Sequence, residues 1–236
     1  MVHALILSGG TGTRFGNDTP KQYIEVRHKP IIGYVLDVFQ HHPFVDTITV
    51  VLSKEWLEYM EQYMHREGIT KFANFALSGR SRQHSILSGL NMINDTFGGS
   101  EDKVIIHDAA RPLVSSTIID NCIKTLDDYD MSMPVIPVRD TIYYTNDGNE
   151  ISELLDRDRL FAGQAPEGCH LHSYLRINQQ MNDEELAMTR GTSAAGYKYG
   201  LSVGLFPGEE RNMKITVNDD MDKFRSLILE QKNEIL

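Results

Sequence analysis

Short apolar runs separated by amphipathic stretches constrain the fold more than any other feature of this chain. Ala4–Leu7 opens the series and stops at Ser8-Gly9-Gly10-Thr11-Gly12-Thr13-Arg14. Ile31–Phe39 reads as a helix, Thr47–Leu52 as a second strand, and Glu55–Arg66 as a helix. In that helix Trp56, Met60, Tyr63 and Met64 are spaced for one buried face, and Gly68 suits its C-terminal stop. Ser85–Ile93 and Ser115–Leu126 read as further helices around a buried strand at Val104–Ile106. Strands follow at Met133–Val138 and Leu201–Phe206, and a helix near Asp219–Gln231, capped by Asn218 or Asp219, closes the chain. This alternation is the βαβ rhythm of a largely parallel α/β sheet.

One segment breaks the rhythm. From Asp140 to Leu155 two strand-like stretches flank Asp147-Gly148, a pair that favours a tight hairpin turn because it tolerates positive φ. A hairpin has no obvious place inside a parallel core, so it either projects as an arm or extends the sheet edge. An isolated hairpin is marginal in water, so a projecting arm is expected to pack on a second subunit. With no repeat, linker or low-complexity tract, the chain reads as one domain over residues 1–236 with an arm at about 139–160.

Composition narrows the partners. The 236 residues carry a formal net charge of −10, which repels nucleic acid and anionic membrane surfaces. Neither is expected as a partner. No run approaches the ~20 apolar residues of a membrane span, and the start shows no secretory pattern. Two distant cysteines, Cys122 and Cys169, do not make a disulfide framework, so a cytoplasmic location is expected. In so acidic a protein, cations on glycine-rich loops point to a small anionic ligand.

The first loop fails two common templates. A P-loop needs Gly-Lys-Ser/Thr after four intervening residues, and none follows Gly9, Gly10 or Gly12 at that distance. A dinucleotide fingerprint would need Gly where Phe15 stands, and an acidic strand end ~20 residues on. What remains is a loop whose N–H groups can wrap phosphate oxygens, with Arg14 and Lys21 adding charge and Pro20 fixing the chain before Lys21. Taken alone, it is also what a tight turn with two surface cations looks like.

Four further stretches bear on it. Ser78-Gly79-Arg80-Ser81-Arg82-Gln83-His84-Ser85 is small and basic and runs into a helix. Val104-Ile105-Ile106-His107-Asp108-Ala109-Ala110-Arg111-Pro112 sets a carboxylate just past a buried strand, at the sheet edge where α/β proteins bind ligands. Asp108 there could hold Mg²⁺ on nucleotide phosphates, while His107 reads as a space-filling strand end. Leu155-Asp156-Arg157-Asp158-Arg159 and Asn212-Met213-Lys214-Ile215-Thr216 complete the set. Each by itself is a capped helix, a turn or a solvated ion pair. Cys169-His170-Leu171-His172 offers three possible ligands, short of the four a structural zinc takes.

Together, and in this order, these blocks resemble the cytidylyltransferases of the methylerythritol-phosphate and ribitol-phosphate type, across nearly the whole chain. Pro20-Lys21-Gln22-Tyr23, His107–Pro112 and Asn212–Thr216 are its most specific parts. The resemblance implies a Rossmann-like, three-layer, mostly parallel sheet of the nucleotide-diphospho-sugar transferase type with a protruding β-hairpin arm. It implies transfer of a cytidylyl group from CTP to a polyol phosphate, with Mg²⁺, in a homodimer joined through that arm. Ser8, Gly9, Gly10, Gly12, Arg14 and Lys21 would wrap the CTP phosphates, with Arg14, Lys21 and Lys214 as the catalytic charges. Gly79 and Ser85 would lie near cytosine and ribose, supported by Arg82, with Asp108 and Ala109 beside the nucleotide and Asp108 toward the metal. Arg111, Thr141, Arg157 and Lys214 would receive the acceptor phosphate.

The chain departs from that pattern in three places. Gln164-Ala165-Pro166-Glu167 stands where the resemblance leads one to expect Gln-Thr-Pro-Gln, and Met188–Gly200 replaces a Thr-Asp block. Both read as acceptor-side changes. Arg80 takes a position where an acidic residue is frequent. The missing hydroxyl at Ala165 favours ribitol or glycerol phosphate over methylerythritol phosphate, and so a product for teichoic acid or capsule synthesis. A catalytically silent nucleotide sensor is the rival from another class.

Overall fold

The first apolar run becomes the middle of a sheet. The computed structural model describes residues 1–10 and 19–233, with side chains described to Glu230. In chain order, β1 (Val2–Leu7) precedes a two-stranded ribbon of β2 (Glu25–Val26) and β3 (Lys29–Pro30), then α1 (Ile31–His41) and β4 (Thr47–Leu52). Next come α2 (Leu57–Arg66), β5 (Phe72–Leu77), α3 (Arg82–Thr96), β6 (Lys103–Asp108), α4 (Ser116–Thr125) and β7 (Met131–Pro137). The short β8 (Tyr143–Tyr144), β9 (Glu153–Leu154) and β10 (Phe161–Gly163) lead to β11 (Glu167–His170). The chain ends through α5 (Leu171–Gln180), α6 (Asp183–Met188), α7 (Thr192–Lys198), β12 (Val203–Pro207) and α8 (Asn218–Asn233).

The main sheet has eight strands, ordered β10-β7-β11-β6-β1-β4-β5, with β12 also paired to β7. β1 is parallel to β4 and β6, β4 to β5, and β12 to β7, whereas β10 and β11 run antiparallel to their neighbours. The α/β class and the mostly parallel sheet agree with the sequence reading. Alternation along β1 builds two cores. Ala4 and Ile6 pack with Ile32, Phe39, Met60, Tyr63 and Ile119, from α1, α2 and α4. Leu5 packs on the other face with Ile86, Leu90, Tyr174 and Ala195, from α3, α5 and α7. The result is three layers. A smaller cluster of Val26, Ile31, Ile215, Met221 and Phe224 docks α8.

Where elements differ from expectation, a local cause is visible. α3 begins at Arg82 rather than Ser85, because Ser81 caps it by accepting from His84 N–H. α8 begins at Asn218, so both expected caps lie inside it; the Asp220 carboxylate accepts from Thr216 N–H, Thr216 Oγ1 and Val217 N–H. Gly68 does adopt φ +63° just past α2. β5, β11 and α5–α7 were not read from the sequence. The antiparallel β11, buried up to the half-buried His170, is only four residues long, too short for a periodicity to register.

The segment at 139–160 carries β8 and β9, joined as Tyr143↔Leu154 and Tyr144↔Glu153 in a separate two-stranded sheet. Their loop spans 145–152 rather than a two-residue turn, with Gly148 at φ +81°. No helix among the described residues is long and apolar enough to cross a membrane.

Candidate active site

The opening loop is held from behind by the residues that follow it. Ser8 leaves β1 with its N–H donating to Val51 O at 2.7 Å. Gln22 Nε2 donates to Ser8 O at 2.7 Å and to Gly10 O at 2.8 Å. Ser8 Oγ donates to Tyr23 Oη at 2.9 Å, and the Tyr23 ring stacks on Trp56 with centroids 4.1 Å apart. Burial raises the Tyr23 hydroxyl pKa to about 12, so it stays a neutral hydrogen-bonding group. A Cβ at Gly9 would collide with the Ser78 side chain, so the loop closes on the segment after β5 only because residue 9 is glycine. Gly12 and Arg14 lie outside the described residues.

A cluster of charge sits at the carboxyl end of β6. Lys214 Nζ lies 2.8 Å from Asp108 Oδ2, Arg82 Nε 3.5 Å from Asp108 Oδ1, and Arg111 Nε 4.0 Å from Asp108 Oδ2. Burial alone would push the Asp108 carboxyl up, but Arg82, Lys214 and Arg111 outweigh it and hold it well below the usual range. Asp108 is therefore a fixed negative charge among cations. His107 next to it is fully buried, bonds Arg111 O through Nε2 at 3.0 Å, and is pushed by burial to about 4. A neutral, enclosed imidazole fits the space-filling reading.

The third side comes from the start of α3. Gly79 N–H donates to Ser85 Oγ, which donates to Ser81 O, both at 3.0 Å. A Cβ at Gly79 would meet the His84 side chain, so this turn is as tightly drawn as the first.

These three parts enclose one cleft of about 620 Å³. Ser8, Gly9, Gly10, Lys21, Gly79, Arg82, Ser85, Asp108, Ala109 and Lys214 all line it. Arg111 stands behind Asp108, its guanidinium donating to Asn212 O at 2.6 Å. Thr141 and Arg157 do not line the cleft; both are exposed on the 139–160 segment, where Arg157 donates to Arg139 O. Ser53, Ser78, Arg80, Ser81, Ala110 and Thr216 also line it and were not singled out as site residues. Gln22 was visible within Pro20–Tyr23, but its role as the loop's clamp depends on where its amide lands in space.

Both departures near the C-terminal half attach to the residues around this cleft. Ala165 is buried and its carbonyl accepts from Asn212 Nδ2 at 2.6 Å. Glu167, also buried, accepts from Arg82 Nη2 at 3.3 Å and from Ser193 N–H at 2.6 Å. Arg82 Nη1 donates to Thr192 Oγ1 at 2.7 Å. Thus Glu167 and the Met188–Gly200 block meet Arg82 at the wall of the cleft. Cys169 lies in the core with its thiol toward Val104 O, while His170 Nε2 bonds Leu126 O.

Asp108 is the sole carboxylate lining the cleft among the described residues, which contain no cluster of three or more His, Cys, Asp or Glu suited to a metal. Mg²⁺ takes one or two carboxylates when phosphates and waters supply the rest. Asp108 fits an ion that arrives on a nucleotide and does not fit a cage built from protein alone.

With this geometry in hand, comparison with known proteins is decisive. The 2-C-methyl-D-erythritol 4-phosphate cytidylyltransferase (IspD) family matches residues 2–230. The chain belongs to this family. It is thereby placed among CTP-dependent nucleotidyltransferases. The ribitol-5-phosphate cytidylyltransferase of Streptococcus agalactiae serotype III is 30% identical over 231 residues, covering 98% of this chain and 96% of that protein. The 2-C-methyl-D-erythritol 4-phosphate cytidylyltransferase of Clostridium novyi is 31% identical over 226 residues, covering 95% of each. A crystal structure of 4-diphosphocytidyl-2C-methyl-D-erythritol synthase superposes with TM-score 0.78 at 26% identity, over 96% of this chain and 97% of that one. The IspD fold and its three-layer sheet are those described above.

Proposed function

We propose that this family member transfers the cytidylyl group of CTP to ribitol 5-phosphate or glycerol phosphate, giving a CDP-polyol and pyrophosphate. The observation that carries the reading is the convergence of Lys21, Lys214 and the Ser8–Gly10 backbone on one cleft around Asp108. The ribitol-phosphate relative and the loss of a hydroxyl at Ala165 favour an unbranched acceptor over methylerythritol phosphate. The products would feed teichoic acid or capsule synthesis.

An acceptor phosphate oxygen attacks the α-phosphorus of CTP in line. The new P–O bond forms as the bond to the β-phosphate oxygen breaks, and that electron pair leaves with pyrophosphate. A phosphate dianion is already nucleophilic, so the protein need not remove a proton; its work is positioning and charge neutralisation. The Ser8–Gly10 backbone and Lys21 hold the triphosphate, and Lys214, steered by Asp108, faces charge that builds at the α-phosphate. Arg14 belongs with Lys21 in this reading. Mg²⁺, carried on the phosphates beside Asp108, would supply further neutralisation. Thr141 and Arg157 would reach an acceptor phosphate in a neighbouring subunit, which makes the 139–160 segment a dimer arm; its exposed Tyr143, Tyr144 and Leu154 support that reading.

Pyrophosphate release from CTP and Mg²⁺ across a panel of polyol phosphates tests the proposal. Turnover with ribitol or glycerol phosphate is expected. Selective turnover of methylerythritol phosphate overturns the acceptor, and silence across the panel with CTP still bound points to a sensor.

A further inference from the structure

Arg82 lies at the cleft wall, yet each of its three guanidinium nitrogens faces a protein partner. Nε faces Asp108, Nη1 donates to Thr192 Oγ1 and Nη2 to Glu167 Oε1. Burial disfavours its charge, but Asp108 and Glu167 more than restore it. It is a charged strut between three parts of the chain. Its neighbours reach the same way. Arg80 pairs with Asp183, His84 Nε2 lies 3.0 Å from Asp183 Oδ1, and Ser81 Oγ donates to Leu186 O at 2.9 Å. Four residues from 80 to 84 therefore grip α6 and α7, and α7 lies within the departing Met188–Gly200 block.

Glu167 closes this network. Its side chain is 8% exposed, and its two oxygens serve different masters: Oε1 takes Arg82, while Oε2 takes Ser193 N–H in the first turn of α7. A carboxylate can accept on both oxygens, whereas an amide offers one acceptor oxygen and two donors. Glutamine here would turn an NH₂ group toward either the guanidinium or the backbone N–H. This glutamate is thus matched to the α7 block behind it.

We propose that Glu167 is a positioning residue for the nucleotide: it holds Arg82 against Asp108 and ties α7 to the cleft. The proposal rests on the CTP reading above. It moves the effect of this departure from the acceptor to CTP. Thr192 acts through the same guanidinium and provides an independent probe.

The test measures the dissociation constant for CTP by calorimetry, KM for CTP and for the acceptor, kcat, and the melting temperature. Wild type is compared with Glu167→Gln, Thr192→Val and the double variant. Loss of a buried hydrogen bond to a charged group predicts CTP binding weaker by about tenfold in Glu167→Gln and by a smaller factor in Thr192→Val. The acceptor KM should hold, and the double variant should fall short of the product of the two, because both act through Arg82. A CTP affinity unchanged in Thr192→Val and Glu167→Gln overturns the assignment, as does a rise confined to the acceptor KM. If Glu167→Gln does not fold, Thr192→Val decides alone, since it keeps the side-chain shape. Wild-type protein that fails to bind CTP sinks both this proposal and the CTP reading. Wild type that binds, with variants that bind equally, sinks only this one.

Discussion

Lys214 Nζ stands 2.8 Å from Asp108 Oδ2, although 106 positions separate the two residues in the chain. The pair ties the segment after β12 to the end of β6, and it fixes where a mobile ammonium points. In Lys214→Ala the cleft loses a preorganised charge, which should lower kcat by about 10²–10³. Turnover near wild type would remove Lys214 from the machinery. Asp108→Asn acts differently, since Arg82, Arg111 and Lys214 then face one another without a counter-charge. Removing one partner of a buried ionic cluster should destabilise the fold by about 3–5 kcal/mol, read by denaturant titration. Lys214, more exposed, should cost much less stability when removed.

Lys21 and Gln22 are adjacent and should fail in different ways. Lys21 faces the cleft, so Lys21→Ala should lower kcat by about 10²–10³. Gln22 faces the loop's own carbonyls, at Ser8 and Gly10. Gln22→Ala leaves those groups unclamped and should raise KM for CTP several-fold more than it lowers kcat. Equal losses in both parameters for both variants would mean the two residues are not separable.

The sequence made the strands of this sheet legible where burial on both faces leaves an unbroken apolar run, as in Val104–Ile106. It hid β11, whose Glu167-Gly168-Cys169-His170 carries no such run, and α5, whose Leu171–Gln180 is mostly polar. For the site, several residues that line the cleft were readable because glycine, lysine and aspartate at loop positions have few structural uses. Residues that hold those groups in place were not. Gln22, Glu167 and Asn212 act through contacts 12 to 101 positions away, and no local pattern encodes such distances.

His107 gives the acid limb of stability a defined window. Burial lowers its pKa from 6.5 to about 4, so the unfolded chain binds a proton that the folded chain refuses. Its contribution is complete above pH 6.5 and is lost as pH falls from 6.5 toward 4, by about 3 kcal/mol in all. His107→Gln should lower stability at neutral pH but flatten the slope across that window in denaturant titrations. His3, His42 and His84, whose pKa values burial also lowers, should leave part of the slope in place. An unchanged slope in the variant would assign the acid limb to those three.

The Tyr23–Trp56 stack offers a direct view of the loop. Trp56 is the one tryptophan in the chain, and its ring lies at 13° to that of Tyr23. Tyr23 Oη accepts from Ser8 Oγ, whose backbone carbonyl Gln22 holds together with that of Gly10. Any shift of the loop onto phosphates therefore passes through two hydrogen bonds to the indole's neighbour. Titration with CTP should change Trp56 emission in proportion to occupancy, with a midpoint equal to the calorimetric dissociation constant. Tyr23→Leu should uncouple the signal while CTP still binds, because the Gln22 clamp remains. Calorimetric saturation with no change in emission would mean that the loop is already set in its binding shape before the nucleotide arrives.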